Sequence, residues 1–233
     1  MTTPRDALSR DRVLQAALAL ADAHGLEALS MRRLGTELGV EAMSLYRHVR
    51  GKEALLDAMV DAIVLQWVTE TPAQTKSPSA VDWRARLAEI MHRAHDTLLD
   101  HPWAVELVAA RPQVGDGRLR YAEAITAALF EAGFTPQLAH HGLHIVDGTI
   151  TGFSAQEARR PTAQAMGDRV QELYDGRLAD EFPSISVTIR EHHDHGEEYA
   201  LMVDLVIDGL ARLREGRMPP RSAARANYMI AFA

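Results

Sequence analysis

The chain has 233 residues, 47% hydrophobic and 24% charged, with a net charge of −7 and no cysteine. That is the make-up of an ordinary globular protein of one large or two smaller domains. It excludes disulfides, thiolate metal sites and a cysteine nucleophile, and no apolar run approaches the roughly 18 residues of a membrane span. The polar N-terminus, MTTPRDALSRDR, has no apolar signal-peptide core, so a soluble cytoplasmic protein is expected. The charge is uneven. Residues 1–52 carry eight Lys/Arg against six Asp/Glu, whereas residues 53–233 carry 17 against 26. An anion-binding N-terminal module on an acidic body fits that asymmetry, chance being the alternative.

Helical periodicity runs along the chain. Ser9 is placed to cap a helix on which Val13, Ala16, Ala17 and Leu20 recur at helical spacing, and Gly25 is a natural stop. Ser30 caps a short helix carrying Met31, Leu34 and Leu38, which Gly39 ends with a left-handed turn. Another short helix is predicted over 41–49. A longer one over about 52–68 has Leu56, Met59, Ile63 and Trp67 along one side. TPAQTKSPSA (71–80) reads as a linker. Asp82 then caps a helix whose apolar stripe is Trp83, Leu87, Ile90, Met91, Ala94 and Leu98. HPW (101–103) breaks that helix, a short one follows to Arg111-Pro112, and another runs from about Gly117 to Glu131 before Gly133. Thr135-Pro136 is a cap with proline at the first helical position, and opens a helix to about Gln156. ARRPTAQ (158–164) reads as a loop, 165–179 as a helix and DEFPSIS (180–186) as a break. Residues 197–215 form a final helix with Tyr199, Met202, Val203, Val206, Leu210 and Leu213 on its apolar stripe. Period-two alternation and internal repeats are absent, so the fold class is all-α.

Residues 30–49 read as helix, glycine turn, helix, the pattern of a helix-turn-helix. On a wheel of about 100° per residue, Ala42, Leu45, Tyr46 and Val49 share one sector while Met43, Ser44, Arg47 and His48 fall opposite. The first face packs inward. The second mixes small, polar and basic groups suited to the edge of a DNA major groove. Arg50 and Lys52 flank it where a duplex backbone passes, and a helix N-terminus near Lys52 favours a phosphate. The competing reading is a solvated basic helix on an ordinary bundle.

At this point a family resemblance emerges. ALALADAHGLEALSMRRLGTELGVEAMSLYRHVRGKEALLDAMV (17–60) resembles the DNA-binding domain of the tetracycline-repressor family in its LG(V) turn, its LY.HV recognition helix and its K.ALLDA helix. Weaker likenesses follow in W…LLDHPW…ARP (83–112), TITGF (149–153) and LVIDGL (205–210). The resemblance implies a homodimeric transcriptional repressor on a palindromic double-stranded DNA operator, released by a small-molecule effector, with no catalytic residue and no cofactor. It divides the chain into a three-helix helix-turn-helix domain, 1–51, and a helical ligand-binding and dimerisation domain, 52–233, with a linker at about 70–81. By the same match Arg32 reads bases, Tyr46, His48 and Lys52 hold phosphates, and Ser44 touches base edges or phosphate. Met43 and Arg47 complete the expected DNA-facing set, Arg47 from its place on the wheel. The family's namesake has Gln and Pro where this chain has Ala42 and Met43, and Trp at Arg47. Ala42 makes no bidentate contact to adenine, so a different operator sequence is expected.

The namesake's polar drug anchors, a His and an Asn, fall on Val68 and Ile90, and its metal-binding His has no counterpart in VELVAARP (105–112). The resemblance therefore implies a larger or more hydrophobic organic effector rather than a magnesium–drug complex. The expected ligand-facing residues are Trp67, Ile90, Met91, Trp103, Leu107, Arg111, His144, Asp147 and Thr151, with Arg111 alternatively capping a helix end. His140, His144, Asp147 and Thr151 fall within about 60° on the wheel of their helix. This stripe is a pocket wall, a metal site, or a solvated or dimer-facing side. HHDH (192–195) reads as a solvated loop, with metal binding the alternative. The helices at 136–156 and 197–215 are expected to pair with their two-fold mates in a four-helix interface. The rival classes are a His-based metal-dependent hydrolase, for which no HExxH, nucleophile elbow or phosphate-cradling glycine loop is present, and a DNA-binding regulator without a small-molecule effector.

Overall fold

The computed structural model describes residues 7–68, 82–111, 115–159, 181–188 and 195–217. Ser9 accepts a hydrogen bond from the Arg12 N–H at 3.1 Å and starts α1 (Arg10–His24). A 3₁₀ turn (Leu26–Ala28) leads to Ser30, which caps α2 (Met31–Leu38) by accepting from the Arg33 N–H. Gly39 then adopts φ 67°, ψ 34°, a left-handed turn that glycine takes without a Cβ penalty, and α3 follows (Ala42–Leu45).

The helix predicted over 41–49 is shorter than expected. Beyond Leu45 the chain tightens into i→i−3 hydrogen bonds, with the His48 N–H donating to the Leu45 carbonyl at 2.9 Å. Tyr46, His48 and Val49 are weak helix formers, and Leu45 and Val49 are both buried against the preceding helices. α4 (Lys52–Leu65) also stops before 68, although Trp67 in the following turn remains fully buried.

The body contains α5 (Trp83–Asp100), α6 (Pro102–Ala110), α7 (Asp116–Glu131), α8 (Pro136–Ala158), α9 (Pro183–Thr188) and α10 (His195–Arg214). Asp82 and Thr135 cap α5 and α8 as their sequence positions require. DEFPSIS, expected to break the pattern, instead places Pro183 at the start of α9, where its missing N–H costs nothing. The expectations for 71–80, 160–179 and 192–194 lie outside the described residues.

α4 is the shared element. It leaves the head and packs along α7, also touching α1, α5 and α6. The approach to α7 is close enough that a Cβ on Gly117 would strike the Asp61 backbone carbonyl, which makes glycine obligatory there. Apolar packing is continuous from Leu34, Leu45 and Met59 through Val64 and Trp67 to Leu87, Ile125, Val146 and Val203. Across the body's centre His95 donates or accepts at the Ser154 hydroxyl (2.9 Å) and stacks on Tyr199 at 3.9 Å, and the Tyr199 hydroxyl donates to the Met91 carbonyl. Among the described residues no helix is long and apolar enough to cross a membrane.

Candidate nucleic-acid interface and interior polar cluster

In the head, the turn at Gly39 sets α3 across α2. Leu45 and Val49 go into the core, while Met43 (72% exposed), Tyr46 (48% exposed) and Arg47 point outward and Ser44 and His48 are half-buried. The wheel assigned Tyr46 to the packed sector. The structure exposes it, because the helix ends at Leu45 and the tighter turn rotates the following side chains outward. Arg32 and Arg33 stand exposed in the first turn of α2, and Arg50 and Lys52 flank the start of α4. Among the described residues none of Arg32, Arg33, Arg47, Arg50 and Lys52 is held in an ion pair. The head thus presents a contiguous surface of basic, hydroxyl and aromatic side chains whose charges are available to an anion.

The joint between head and body is polar. Arg111, at the end of α6, forms ion pairs with Glu53 and Asp57 in the first turns of α4, the latter at 2.6 Å. The hydrogen bond it donates to Glu53, then that to Asp57, raises its pKa above the ordinary arginine value. On the other side, Asp22 of α1 accepts from the Trp103 indole N–H at 2.6 Å and pairs with His101 at 2.6 Å. Trp103 and Arg111 are expected on a ligand; Arg111 is committed to this joint, whereas Trp103 joins it through its indole N–H and also lines a groove. Their partners lie 81, 58 and 54 residues away in sequence. At Trp103 a groove of about 540 Å³ is lined by Leu26, Trp103, Leu107, Ala155 and Arg159, among others.

Behind the joint lies a polar cluster within the apolar body. Trp67 (0% exposed) and Tyr121 (3% exposed) pack edge to face with ring centroids 5.2 Å apart. Asp147 of α8 and Arg118 of α7 act on Tyr121 electrostatically. Burial, and after it the Asp147 charge, pushes the Tyr121 phenol well above its ordinary pKa. Burial likewise raises the Asp147 carboxyl, against the opposing pull of Arg118, His144 and the Tyr121 hydroxyl. Among the described residues Trp67 Nε1, Tyr121 OH, Asp147 Oδ1 and Arg118 Nε are buried without a hydrogen-bond partner. The other end of the Arg118 guanidinium donates to the Val108 and Arg111 carbonyls at the close of α6, and its backbone N–H donates to Asp61 of α4.

The structure therefore places Trp67 and Asp147 on the two sides of Tyr121, puts Trp103 and Leu107 on the groove, and separates these two pairs from the rest of the expected ligand set. Ile90 and Met91 are buried core of α5, and Leu107 is buried on α6. The Thr151 hydroxyl donates to the Asp147 carbonyl along its own helix. The stripe on α8 is split: His140 and His144 are exposed, their rings 4.6 Å apart, while Asp147 lies inward. His144 stands outside because neighbouring helices cover α8 at Gly142, Val146 and Ile150 rather than at its own position. Tyr121, Arg118 and Asp61 escaped sequence reading. The signals were local but faint: Arg118 and Tyr121 at i, i+3 on one face, and Asp57 and Asp61 at i, i+4 in a helix apolar beyond Glu53 except at these two positions.

Comparison with known proteins bears on both regions. The family model for bacterial regulatory proteins of the tetR family matches residues 13–59, and that for the tetracyclin repressor-like C-terminal domain matches residues 77–214. The chain is 36% identical over 164 residues to the HTH-type transcriptional repressor DrrR1 of Streptomyces coeruleorubidus, covering 68% of this chain and 59% of that protein. It is 33% identical over 200 residues to an HTH-type transcriptional regulator of Saccharopolyspora erythraea, covering 82% of each. Its fold is similar to that of apo ActR from Streptomyces coelicolor, with a TM-score of 0.76 and 25% identity over 94% of this chain and all of that one. ActR is also known in complex with actinorhodin, at a TM-score of 0.74 and 25% identity over 89% of this chain and 97% of that one. A helix-turn-helix head with free cations, joined through one helix to an all-helical body and matched by both family models, places this chain in the tetracycline-repressor family of DNA-binding transcriptional regulators.

Proposed function

We propose that the chain works as a homodimeric repressor in the cytoplasm, binding a palindromic operator through residues 1–51 and releasing it when an organic effector enters the body. The observation that carries this reading is the set of exposed head cations, unpaired among the described residues, beside a helix that is itself tied to the body by Arg111. Arg32, Met43, Ser44 and Arg47 face the groove in this account, and Tyr46, His48 and Lys52 face phosphate. The dimer forms through α8 and α10. Ile145 (40% exposed), Leu201 (61%) and Leu205 (64%) form an apolar surface there that a two-fold mate would cover. A shallow groove between Ile145, Val206, Gly209 and Leu213 supplies complementary relief.

Release is a population shift: an effector favours a body in which the two heads no longer fit successive grooves. The connection runs from Asp147 to Arg118, from Arg118 to the last carbonyls of α6, and from Arg111 to the first turns of α4. The complex of ActR with actinorhodin supports a bound small molecule in a body of this fold.

A gel shift on the palindrome that the protein selects from a random duplex pool tests the assignment. Arg32→Ala and Tyr46→Ala each weaken that binding by roughly 1–3 kcal/mol and leave effector affinity nearly unchanged. Equal operator affinity in wild type and both variants would refute the interface.

A further inference from the structure

We propose that Trp67, Tyr121 and Asp147 together form the anchor for a hydroxyl group of the effector, and that the effector is an uncharged hydroxylated aromatic compound. The proposal rests on the reading of the body as the effector-binding unit. Three polar atoms carry it: Trp67 Nε1, the Tyr121 hydroxyl and Asp147 Oδ1, each buried without a partner among the described residues. They come from the turn after α4, from α7 and from α8, so no single helix explains their convergence. Folded proteins pair nearly all such atoms, and a cluster left open marks a place shaped for something else.

The chemistry of the three atoms selects the ligand group. An indole N–H only donates, a carboxylate only accepts, and a phenol does both. A hydroxyl oxygen accepts from Trp67 and Tyr121 while its hydrogen goes to Asp147, which satisfies all three. An ammonium group would pair with Asp147 and leave the indole without an acceptor. A carboxylate would accept from Trp67 and Tyr121 and be repelled by Asp147, which already faces the Arg118 cation, itself engaged by the Val108 and Arg111 carbonyls. The rest of the ligand meets the edge-to-face pair of Trp67 and Tyr121 and helices whose neighbouring side chains, Val64, Ile125, Val146 and Ile150, are fully buried and apolar. A flat aromatic body matches those surroundings. Arg118, on the same face of α7 as Tyr121, connects this anchor to the end of α6.

The test uses 2-naphthol and 2-methoxynaphthalene, which share a ring and differ in the donor hydrogen. In calorimetric titrations of the full chain, 2-naphthol binds about tenfold or more tighter than the ether. Tyr121→Phe and Asp147→Leu each reduce that preference to about threefold or less. Without any compound, Tyr121→Phe melts near the wild-type temperature, since the hydroxyl it removes makes no hydrogen bond of full geometry among the described residues. Equal binding of the two compounds, binding of neither, or a Tyr121→Phe protein that melts several degrees lower each overturns the anchor. Equal binding with operator release still intact overturns the anchor alone and keeps the body as the effector unit. Preferential binding of 2-naphthol with no effect on operator affinity supports the anchor and removes the release mechanism.

Discussion

In the head, Arg32, Arg33, Arg47, Arg50 and Lys52 are exposed and hold no ion pair among the described residues. In the body, Arg84, Arg86, Arg93, Arg111, Arg120 and Arg159 are each tied to a carboxylate, and Arg118 and Arg214 to backbone carbonyls. The same residue type does two jobs. A free cation keeps its charge for an incoming phosphate, whereas a paired one braces two helices, as Arg84 and Arg111 do, or its own helix, as Arg93 and Arg120 do. The net charge of −7 hides this, because the body's acids both outnumber and occupy its bases.

If the head is an independent reading surface seated on its own core, undermining that core should remove DNA binding first. Leu45 is fully buried at the end of α3. Leu45→Ala is expected to cost about 2–5 kcal/mol and abolish operator binding, while near-ultraviolet circular dichroism of the body's tryptophans stays largely native. A variant that binds operator normally would show that the packing of α3 does not position the interface.

A smaller effect is expected at the joint. Arg111→Ala removes both ion pairs to α4 and should lower stability by about 1–2 kcal/mol, between the values for exposed and buried pairs. Operator release should then need more effector, although calorimetric effector affinity is little changed. An unchanged release curve would break the link drawn between α6 and α4.

The smallest effect belongs to the body alone. His95 is held neutral by burial, which lowers its pKa against the opposing influence of Asp96 and Glu157, with His92 adding to the lowering. The unfolded chain takes up the proton first, so stability is full above about pH 6.5 and falls as pH drops below that value toward the depressed folded pKa. Melting temperatures between neutral and mildly acid pH should show this slope in wild type and a flatter one in His95→Gln. A parallel slope in the variant would assign the acid sensitivity elsewhere.

Helix starts and turns were legible in the sequence of head and body alike, whereas the body's long-range contacts were not. Ser9, Ser30, Asp82 and Thr135 act as caps through bonds to residues two or three positions away, and Gly39 turns the chain through its own φ. Such local chemistry is written where it acts. Trp103 and Arg111 look like ligand residues by position, and only the arrival of Asp22, Glu53 and Asp57 from distant segments shows them to be struts. The stripe of His140, His144, Asp147 and Thr151 was correctly one side of a helix. Which part of that side is covered depends on how α7 and α10 cross α8, and the wheel carries no information on crossings. Tyr121 escaped sequence reading because its open hydroxyl is a property of its neighbours.

The contrast between free and tied cations is tested most directly by the salt dependence of operator binding. Log affinity should fall steeply with log salt, with a slope of about −0.9 for each phosphate neutralised. Lys52→Ala should flatten that slope by about 1 per head, hence about 2 in a dimer, whereas Arg84→Ala, whose cation is already held by Asp208, should leave it unchanged. A slope indifferent to Lys52 but altered at Arg84 would place the DNA on the body and contradict the division drawn between the two regions.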